Sequence, residues 1–569
     1  MISLDLTRVP FSRFGSYMAF SMVKGKQARP EEPKLPAGLY FRTIRGNAPQ
    51  RELFRVELVR RGTVLPAKVT ASPTALSMEA EGARATLVFP SPDTLRMRLE
   101  GAALRFSLAL PPRVFAYESA VPLGNGRWRV SIWPHVHSYL FSSPTGNLAV
   151  TAPWKGTKCD GITAEFGPGE GTIEEFQSAP PREPSVQFDA GAAAVEEEFG
   201  RWLAHAPEAP EKYSGARELA SYINWASVVA AAGILRRPAM YMSKNWMTNI
   251  WSWDHCFNAL ALAKGEPDLA WDQLMVLFDF QDAAGALPDQ VNDRSMLWNF
   301  VKPPVHGWTL RKMLERNEPA FAGRLKEAYD PLVRWTRWWL ENRDSDGDGI
   351  PEYHHGNDSG WDNATVFRDG VPVEGADLAS YLVIQMEVLA DIAERLGKVP
   401  ESEKWWEESR ALLGRFVGHS WKGDRFASPL SGSHRAADGD SLINFMPLLL
   451  GHRLDGKVLN ALLKGLGVEG RFLTEHGAAT ESARSPYYEA DGYWLGPIWA
   501  PPTLFLVDAL RDCEEAELAR RLSAGFCDLC AREGMAENFD ALTGKGLRDR
   551  AYTWTSSVFL LLAEGLGEE

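Results

Sequence analysis

Cysteine is scarce in this chain: five in 569 residues, at Cys159, Cys256, Cys513, Cys527 and Cys530. An odd number at scattered positions does not look like a disulfide framework. Cys527-Asp-Leu-Cys530 has C-x-x-C spacing, but no second pair and no nearby histidine completes a zinc site, so these are read as buried or free structural thiols. Basic residues are outnumbered, with 61 Lys and Arg against 74 Asp and Glu, a net charge of -13. That argues against nucleic acid or an anionic membrane as partner. No uninterrupted apolar run reaches membrane-spanning length. Met1-Ile-Ser-Leu-Asp5 lacks the basic-then-apolar order of a secretory leader, and the expected location is the cytoplasm.

Tryptophan, by contrast, is abundant. There are 21, and those beyond what a large core needs sit near Gly, Asp and Asn in loops. The length predicts two domains. Over residues 1–185, Leu95, Met97 and Leu99 alternate with Arg96 and Arg98; Leu104, Phe106, Leu108 and Leu110 repeat the pattern; Gly124-Asn-Gly126 is a turn. This predicts antiparallel strands in a β-sandwich. Ser178-Ala-Pro-Pro-Arg-Glu-Pro-Ser185 breaks the pattern, and an Ala/Glu-rich segment within 186–211 predicts a linker helix. From 212 to 569 the period becomes helical, as in Trp271, Leu274, Met275 and Phe278, or Leu382, Met386, Leu389, Ala393 and Leu396. About a dozen helices are expected, and a double ring is a natural closed arrangement for so many.

The most informative segment is Gly356-Asn-Asp-Ser-Gly-Trp-Asp-Asn363. Its composition predicts a shaped loop rather than regular structure. An indole can stack on a sugar face, amides can bind hydroxyls, and a carboxyl can protonate a glycosidic oxygen, provided a second carboxyl stands across the sugar. Asp358 and Asp362 compete for the acid. Trp361 beside Asp362 would desolvate it and raise its pKa, leaving Asp358 to orient or bind. Trp251-Ser-Trp253-Asp254 leads into a helical run and reads either as a helix cap or as a sugar-binding cluster. Asp289 and Gln290 could bind hydroxyls or cap a turn. Trp308 ends an aromatic loop beginning at Lys302. Asp491-Gly-Tyr493-Trp494-Leu-Gly-Pro-Ile-Trp499 projects three aromatic rings from a stiff backbone. Glu537 and Asp540 are candidates for the second carboxyl. Asp344, Asp346 and Asp348 alternate before a glycine, with Glu352 following, as in the first half of a calcium loop; the Ile350 carbonyl would join them. Any such calcium would be structural, and the chemistry requires no cofactor.

The ordered set Trp251-Ser-Trp-Asp254, Leu287-Pro-Asp289, Ser359-Gly-Trp-Asp362, the Gly492–Pro501 aromatic loop and Glu537-Asn-Phe-Asp540 resembles glycoside hydrolase family 63 and its relatives: bacterial α-glucosidases, mannosylglycerate and glucosylglycerate hydrolases and, more distantly, trehalases. The likeness covers about residues 210–569. It implies an (α/α)6 barrel and inversion at the anomeric carbon, with Asp362 as general acid and Glu537 as general base, roughly 6.5–9.5 Å apart. Trp253 and Asp254 would hold the non-reducing sugar, with Trp494 and Trp499 walling the same pocket. The Asp344–Gly349 run matches a segment that binds calcium in some relatives. The resulting expectation is an exo-acting α-glycosidase, first of all an α-glucosidase on a small glucoside or disaccharide. The alternatives are a mannosylglycerate- or glucosylglycerate-type hydrolase, a phosphorolytic enzyme, a lyase using Tyr353, His354 and His355, or a non-catalytic sugar binder. A small carbohydrate is the expected partner. Arg13–Tyr17 is a candidate for shaping the pocket from the first domain.

Overall fold

The computed structural model describes residues 2–25, 35–48, 51–109, 117–144, 147–181 and 187–568. The chain forms two compact units: Met1–Ala204 with Trp225–Ala232 and Ser243–Thr248, and His205–Asn224 with Gly233–Met242 and Asn249–Glu569.

The first unit holds two antiparallel sheets. One runs, in spatial order, Met18–Val23, Gly38–Thr43, Glu52–Arg60, Ala103–Leu108, Thr163–Phe166 and Leu148–Thr151, with Thr63–Val64 paired at the side. The other runs Ser119–Gly124, Arg127–Ser131, Ser138–Ser142, Gly169–Phe176, Thr94–Glu100, Ala83–Ser91, Leu76–Ala80 and Lys68–Ala71. Aromatic rings interdigitate between them: Phe41 meets Tyr139 at 5.7 Å, and Phe141 meets Phe54 at 5.5 Å and Phe106 at 6.0 Å. The sandwich read from the alternating pattern is therefore present. Arg96 departs from that pattern. It is buried, because its guanidinium donates to Thr172 and Glu170 on the neighbouring strand, both at 2.9 Å. Asn125 and Gly126 both take positive φ, as a tight hairpin turn requires. Leu110 and the expected boundary at residue 185 lie outside the described residues.

The helix Phe188–His205, expected as a linker, packs mainly as part of the first unit, with Trp202 against Phe14 and Phe199 against Trp225. Arg13 and Tyr17 are likewise spent inside that unit. Arg13 donates to the Phe89 carbonyl and pairs with Glu198, and the Tyr17 hydroxyl donates to the Ala230 carbonyl.

In the second unit six helices close a ring, each touching the next: Asp254–Leu262, His306–Phe321, Ala376–Arg395, the 3-10 helix Leu442–Arg453, Ala500–Asp512, Thr553–Glu568, and back to Asp254–Leu262. Pro267–Met275, Leu325–Asn342, Val399–Ser420, Gly456–Leu466 and Ala516–Glu533 pack outside them. Ser214–Ser227 is a further helix, and its Asn224 donates to Ser557 of the last inner helix at 3.1 Å. This is the (α/α)6 barrel. The sequence distinguishes inner from outer helices. Ala376–Ala390 is buried at every position, whereas Val399–Ser420 buries only one stripe through Trp405, Leu412 and Phe416.

Five inner helices start directly after a motif-bearing loop. Asp254 follows Trp251–Trp253, His306 follows Lys302, Ala376 follows the 356–375 loop, Ala500 follows Trp499, and Thr553 follows the 537–552 loop. The ring architecture therefore collects segments distant in sequence at one set of helix N-termini.

Candidate active site

Short strands that the sequence did not reveal fix several of these loops. Ile250–Trp251 pairs with Gln290–Val291, which pairs with Met296–Leu297. Trp251 lies opposite Gln290, and the Ser252 amide donates to the Asp289 carbonyl at 3.0 Å. Asp254 and Asp289 are thereby brought to one place. Lys302, which the sequence reading passed over, ties them to the central loop. Its ammonium is 2.8 Å from the Asp289 carboxylate and donates to the Asn357 carbonyl at 2.6 Å and to the Asn357 side chain.

The 356–363 loop contains a single helical turn, Gly356–Ser359, where only irregular structure was expected. His355 caps it by accepting from the Asn357 amide at 3.0 Å, and Gly360 ends it at φ 73°. Both glycines are required. A Cβ on Gly360 would lie 2.3 Å from the Trp253 ring, and one on Gly356 would lie 1.9 Å from the Asp362 carbonyl oxygen. Of the two roles open to Asp358, orienting or binding, its hydrogen bonds serve the first. One of its oxygens accepts from the Val301 amide, and the other from the His354 amide and Arg343. It holds the loop in shape. Trp308 is also withdrawn from the site. It is buried between helices, donates to Asp508 at 2.8 Å and packs against Phe505.

Asp362 leaves this turn toward a box of indoles. Trp361 meets Trp494 at 4.9 Å, Trp494 stacks on Trp499 at 4.1 Å, and Trp253 contacts Trp494 and Trp554 at 6.5 and 5.9 Å. Tyr493, in the left-handed region at φ 66°, packs against Trp499 and lies under the Arg548 guanidinium. Arg548 in turn pairs with Asp491 at 2.6 Å and donates to Asn538.

Glu537 and Asp540 are separated by their hydrogen bonds. Asp540 caps the turn after the strand Asn538–Phe539, accepting from the Leu542 amide and the Thr543 hydroxyl. Glu537 is buried beside Asp549, Arg548 and Asp362. Of the two candidates, only Glu537 belongs to the group of acids around Asp362.

Burial dominates the electrostatics. It pushes Asp362 up to about 6, with Lys302 opposing and Asp289 adding. It pushes Glu537 up to about 8, with Asp549 and Asp362 adding and Arg548 opposing. Asp254 is raised well above the ordinary carboxylate range by burial, against the pull of Lys302. Asp289 is raised for the same reason. The Tyr493 phenol is raised by burial and then by the charges of Asp362 and Glu537. Two carboxyls that resist ionisation inside an aromatic box can exchange protons with a substrate near neutral pH.

The acidic loop also differs from expectation. Glu352 is hydrogen-bonded to the loop itself, one oxygen accepting from the Ser345 amide at 3.2 Å and from the Ser345 hydroxyl. Burial would raise its carboxyl, but hydrogen bonds from His354, Ser345 and Ser431 hold it at about 2. Asp344, Asp346 and Asp348 do converge. The partner that joins Asp348 is Glu374, whose two buried oxygens accept no hydrogen bond among the described residues. Asp348 thus stands in two acidic groups, one with Asp344 and Asp346 and one with Glu374. The five cysteines are free thiols, four of them buried.

Two buried, raised carboxyls beside a cluster of indoles on an (α/α)6 barrel have the character of a glycoside hydrolase site. The family model described as the mannosylglycerate hydrolase MGH1-like glycoside hydrolase domain matches residues 247–555, and the chain belongs to that family. The mannosylglycerate hydrolase of Thermus thermophilus is 25% identical over 396 residues, which span 54% of this chain and 93% of the relative. The glucosylglycerate hydrolase of Mycolicibacterium hassiacum is 22% identical over 408 residues, spanning 55% and 91%. In fold, the chain is similar to a bacterial glucoamylase complexed with acarbose (TM-score 0.60, 12% identity, 100% of this chain and 96% of that one). It is also similar to a GH63 mannosylglycerate hydrolase from Thermus thermophilus in complex with Tris and D-glycerate (TM-score 0.52, 21% identity, 61% and 99%). No helix among the described residues is long and apolar enough to cross a membrane.

Proposed function

We propose that this chain is an inverting, exo-acting hydrolase of α-glycosides of glycerate or a similarly small anionic acceptor. Asp362 protonates the glycosidic oxygen and Glu537 activates the attacking water. The observation that carries this reading is the pair itself: Asp362 and Glu537, 175 positions apart, are buried at one site, and the Asp362 charge adds to the raised pKa of Glu537. The indole box of Trp253, Trp494, Trp499 and Trp554 suits a sugar ring, and Asp254 and Asp289 offer carboxylates for its hydroxyls. The buried indole N–H groups of Trp494 and Trp554 find no acceptor among the described residues, and sugar hydroxyls would supply one. The glycerate acceptor is favoured over a neutral glucoside because the family members matched over this domain act on mannosylglycerate and glucosylglycerate. Arg548 provides a half-buried cation beside Glu537. A cation held by Asp348 and Glu374 would be structural. The test is turnover on mannosylglycerate and glucosylglycerate against maltose and trehalose. A preference for the disaccharides would sink the acceptor assignment.

One observation favours a second reading of the roles. Burial raises the Glu537 carboxyl further than that of Asp362, so Glu537 holds its proton the more tightly. If the roles were reversed, Glu537 would be the acid. Glycosyl fluorides separate the two, because fluoride leaves without a proton. Asp362→Asn keeps fluoride hydrolysis if Asp362 is the acid; Glu537→Gln keeps it if the roles are exchanged.

A further inference from the structure

Away from the indole box, four side chains from four separate segments converge. Asp348 comes from the acidic loop and Glu374 from just before the inner helix Ala376–Arg395. His419 lies at the end of the outer helix Val399–Ser420, and His434 in the loop beyond it. One ligand atom from each lies within 4.8 Å of every other. Glu374 is 1% exposed, and neither of its oxygens accepts a hydrogen bond among the described residues. His419 Nε2 stands 2.6 Å from one of them without hydrogen-bond geometry, and His434 Nδ1 is 3.4 Å from the other. The two imidazoles meet edge to face at 4.7 Å.

A buried carboxylate whose imidazole neighbours stand out of hydrogen-bond geometry is expensive unless a cation completes it. Calcium takes oxygen ligands, and a loop of alternating aspartates alone would suit it. Two imidazoles on the same carboxylate change the preference, since imidazole nitrogen favours zinc and its neighbours in the transition series. The donor atoms need to draw together only modestly, because four ligands about 2.0–2.1 Å from a tetrahedral ion are roughly 3.3 Å apart. Asp346 stands 3.6 Å from His434 Nε2, placed to orient that ring while Nδ1 faces the ion.

We propose that Asp348, Glu374, His419 and His434 form a binding site for a divalent transition cation of the zinc class. The ion joins the outer helix and the 431–436 loop to the segments flanking the Asp362 loop. It takes no part in the reaction.

The test uses the full chain, stripped with EDTA and titrated with zinc chloride or calcium chloride alone, read by calorimetry and by thermal unfolding. Cobalt(II) absorption reports nitrogen ligation. The expected result is one equivalent of zinc bound at least about tenfold more tightly than calcium, a raised Tm, and visible bands of four-coordinate cobalt. His434→Ala, at a half-exposed side chain, and His419→Ala should each weaken zinc binding by about tenfold or more and leave calcium binding unchanged. Calcium binding as tight as zinc, zinc binding unaltered in His434→Ala, or no rise in Tm with zinc would each overturn the proposal.

Discussion

Asn363 clamps Trp494. Its side-chain oxygen accepts the Trp494 amide at 2.9 Å while its amide donates to the Gly492 carbonyl at 3.0 Å. The loop carrying Asp362 and the loop carrying the indole box are thus joined one residue beyond the carboxyl. Asn363→Ala leaves a backbone donor and acceptor unpaired and should cost about 1–3 kcal/mol in urea unfolding. It should also lower kcat by at least about tenfold through misplacement of Asp362. Wild-type kcat in a variant with lowered stability would show that the clamp serves the fold alone.

The two raised carboxyls set the pH dependence. Activity needs one of the pair ionised and the other protonated. That state dominates between the values of about 6 for Asp362 and about 8 for Glu537, whichever residue holds the proton. The profile of kcat/KM should therefore be a bell, rising through about 6 and falling through about 8. A profile flat from pH 5 to 9 would remove both groups from the chemistry.

Glu537 also burdens the fold. Its ordinary value of 4.5 is raised to about 8 on burial, so the folded chain binds the proton more tightly than the unfolded chain. Stability from this group is retained at low pH and lost as pH rises between those values. Glu537→Gln should therefore raise Tm at pH 8–9, by up to a few kcal/mol of stability, and change it little at pH 4. A Tm lowered at pH 9 would contradict the buried, strained carboxyl described here.

Gly360 has no room for a side chain and a backbone conformation that disfavours one. Alanine there meets the Trp253 ring and adopts a left-handed backbone conformation. Gly360→Ala should destabilise by about 2–4 kcal/mol or displace Trp253, with loss of most activity. A neutral substitution, in both Tm and turnover, would mean that the turn does not hold the indole wall.

The residues legible in advance were those whose role is local. Leu95, Met97 and Leu99 announce their strand, and the fully buried run at 376–390 announces an inner helix. The loop motifs carry their aromatic and acidic character on the surface of the sequence. Direction is not local, which is why Trp308 was over-read and Asp358 stayed open between orienting and binding: nothing in neighbouring residues tells that one faces a helix seam and the other three amide and guanidinium donors. Lys302, Asn363 and Arg548 were missed because each acts on a partner from another loop, and Asp549 because it meets Glu537 twelve positions away. Their sign was faint, namely charged or amide residues inside segments that precede inner helices. Glu374, His419 and His434 have no common motif, and only the barrel brings them together.

The most direct measurement of the central claim is the anomer first released from an α-glycosyl glycerate, followed by proton NMR in the first minutes of turnover. Asp362 and Glu537, acting as acid and base on opposite faces of the sugar, should release the β-anomer first, with the α-anomer growing in only by mutarotation. Asp362→Asn and Glu537→Gln, each folded by circular dichroism, should release neither at more than about a thousandth of the wild-type rate. Release of the α-anomer first would contradict the account, because it requires a carboxylate that attacks the sugar itself.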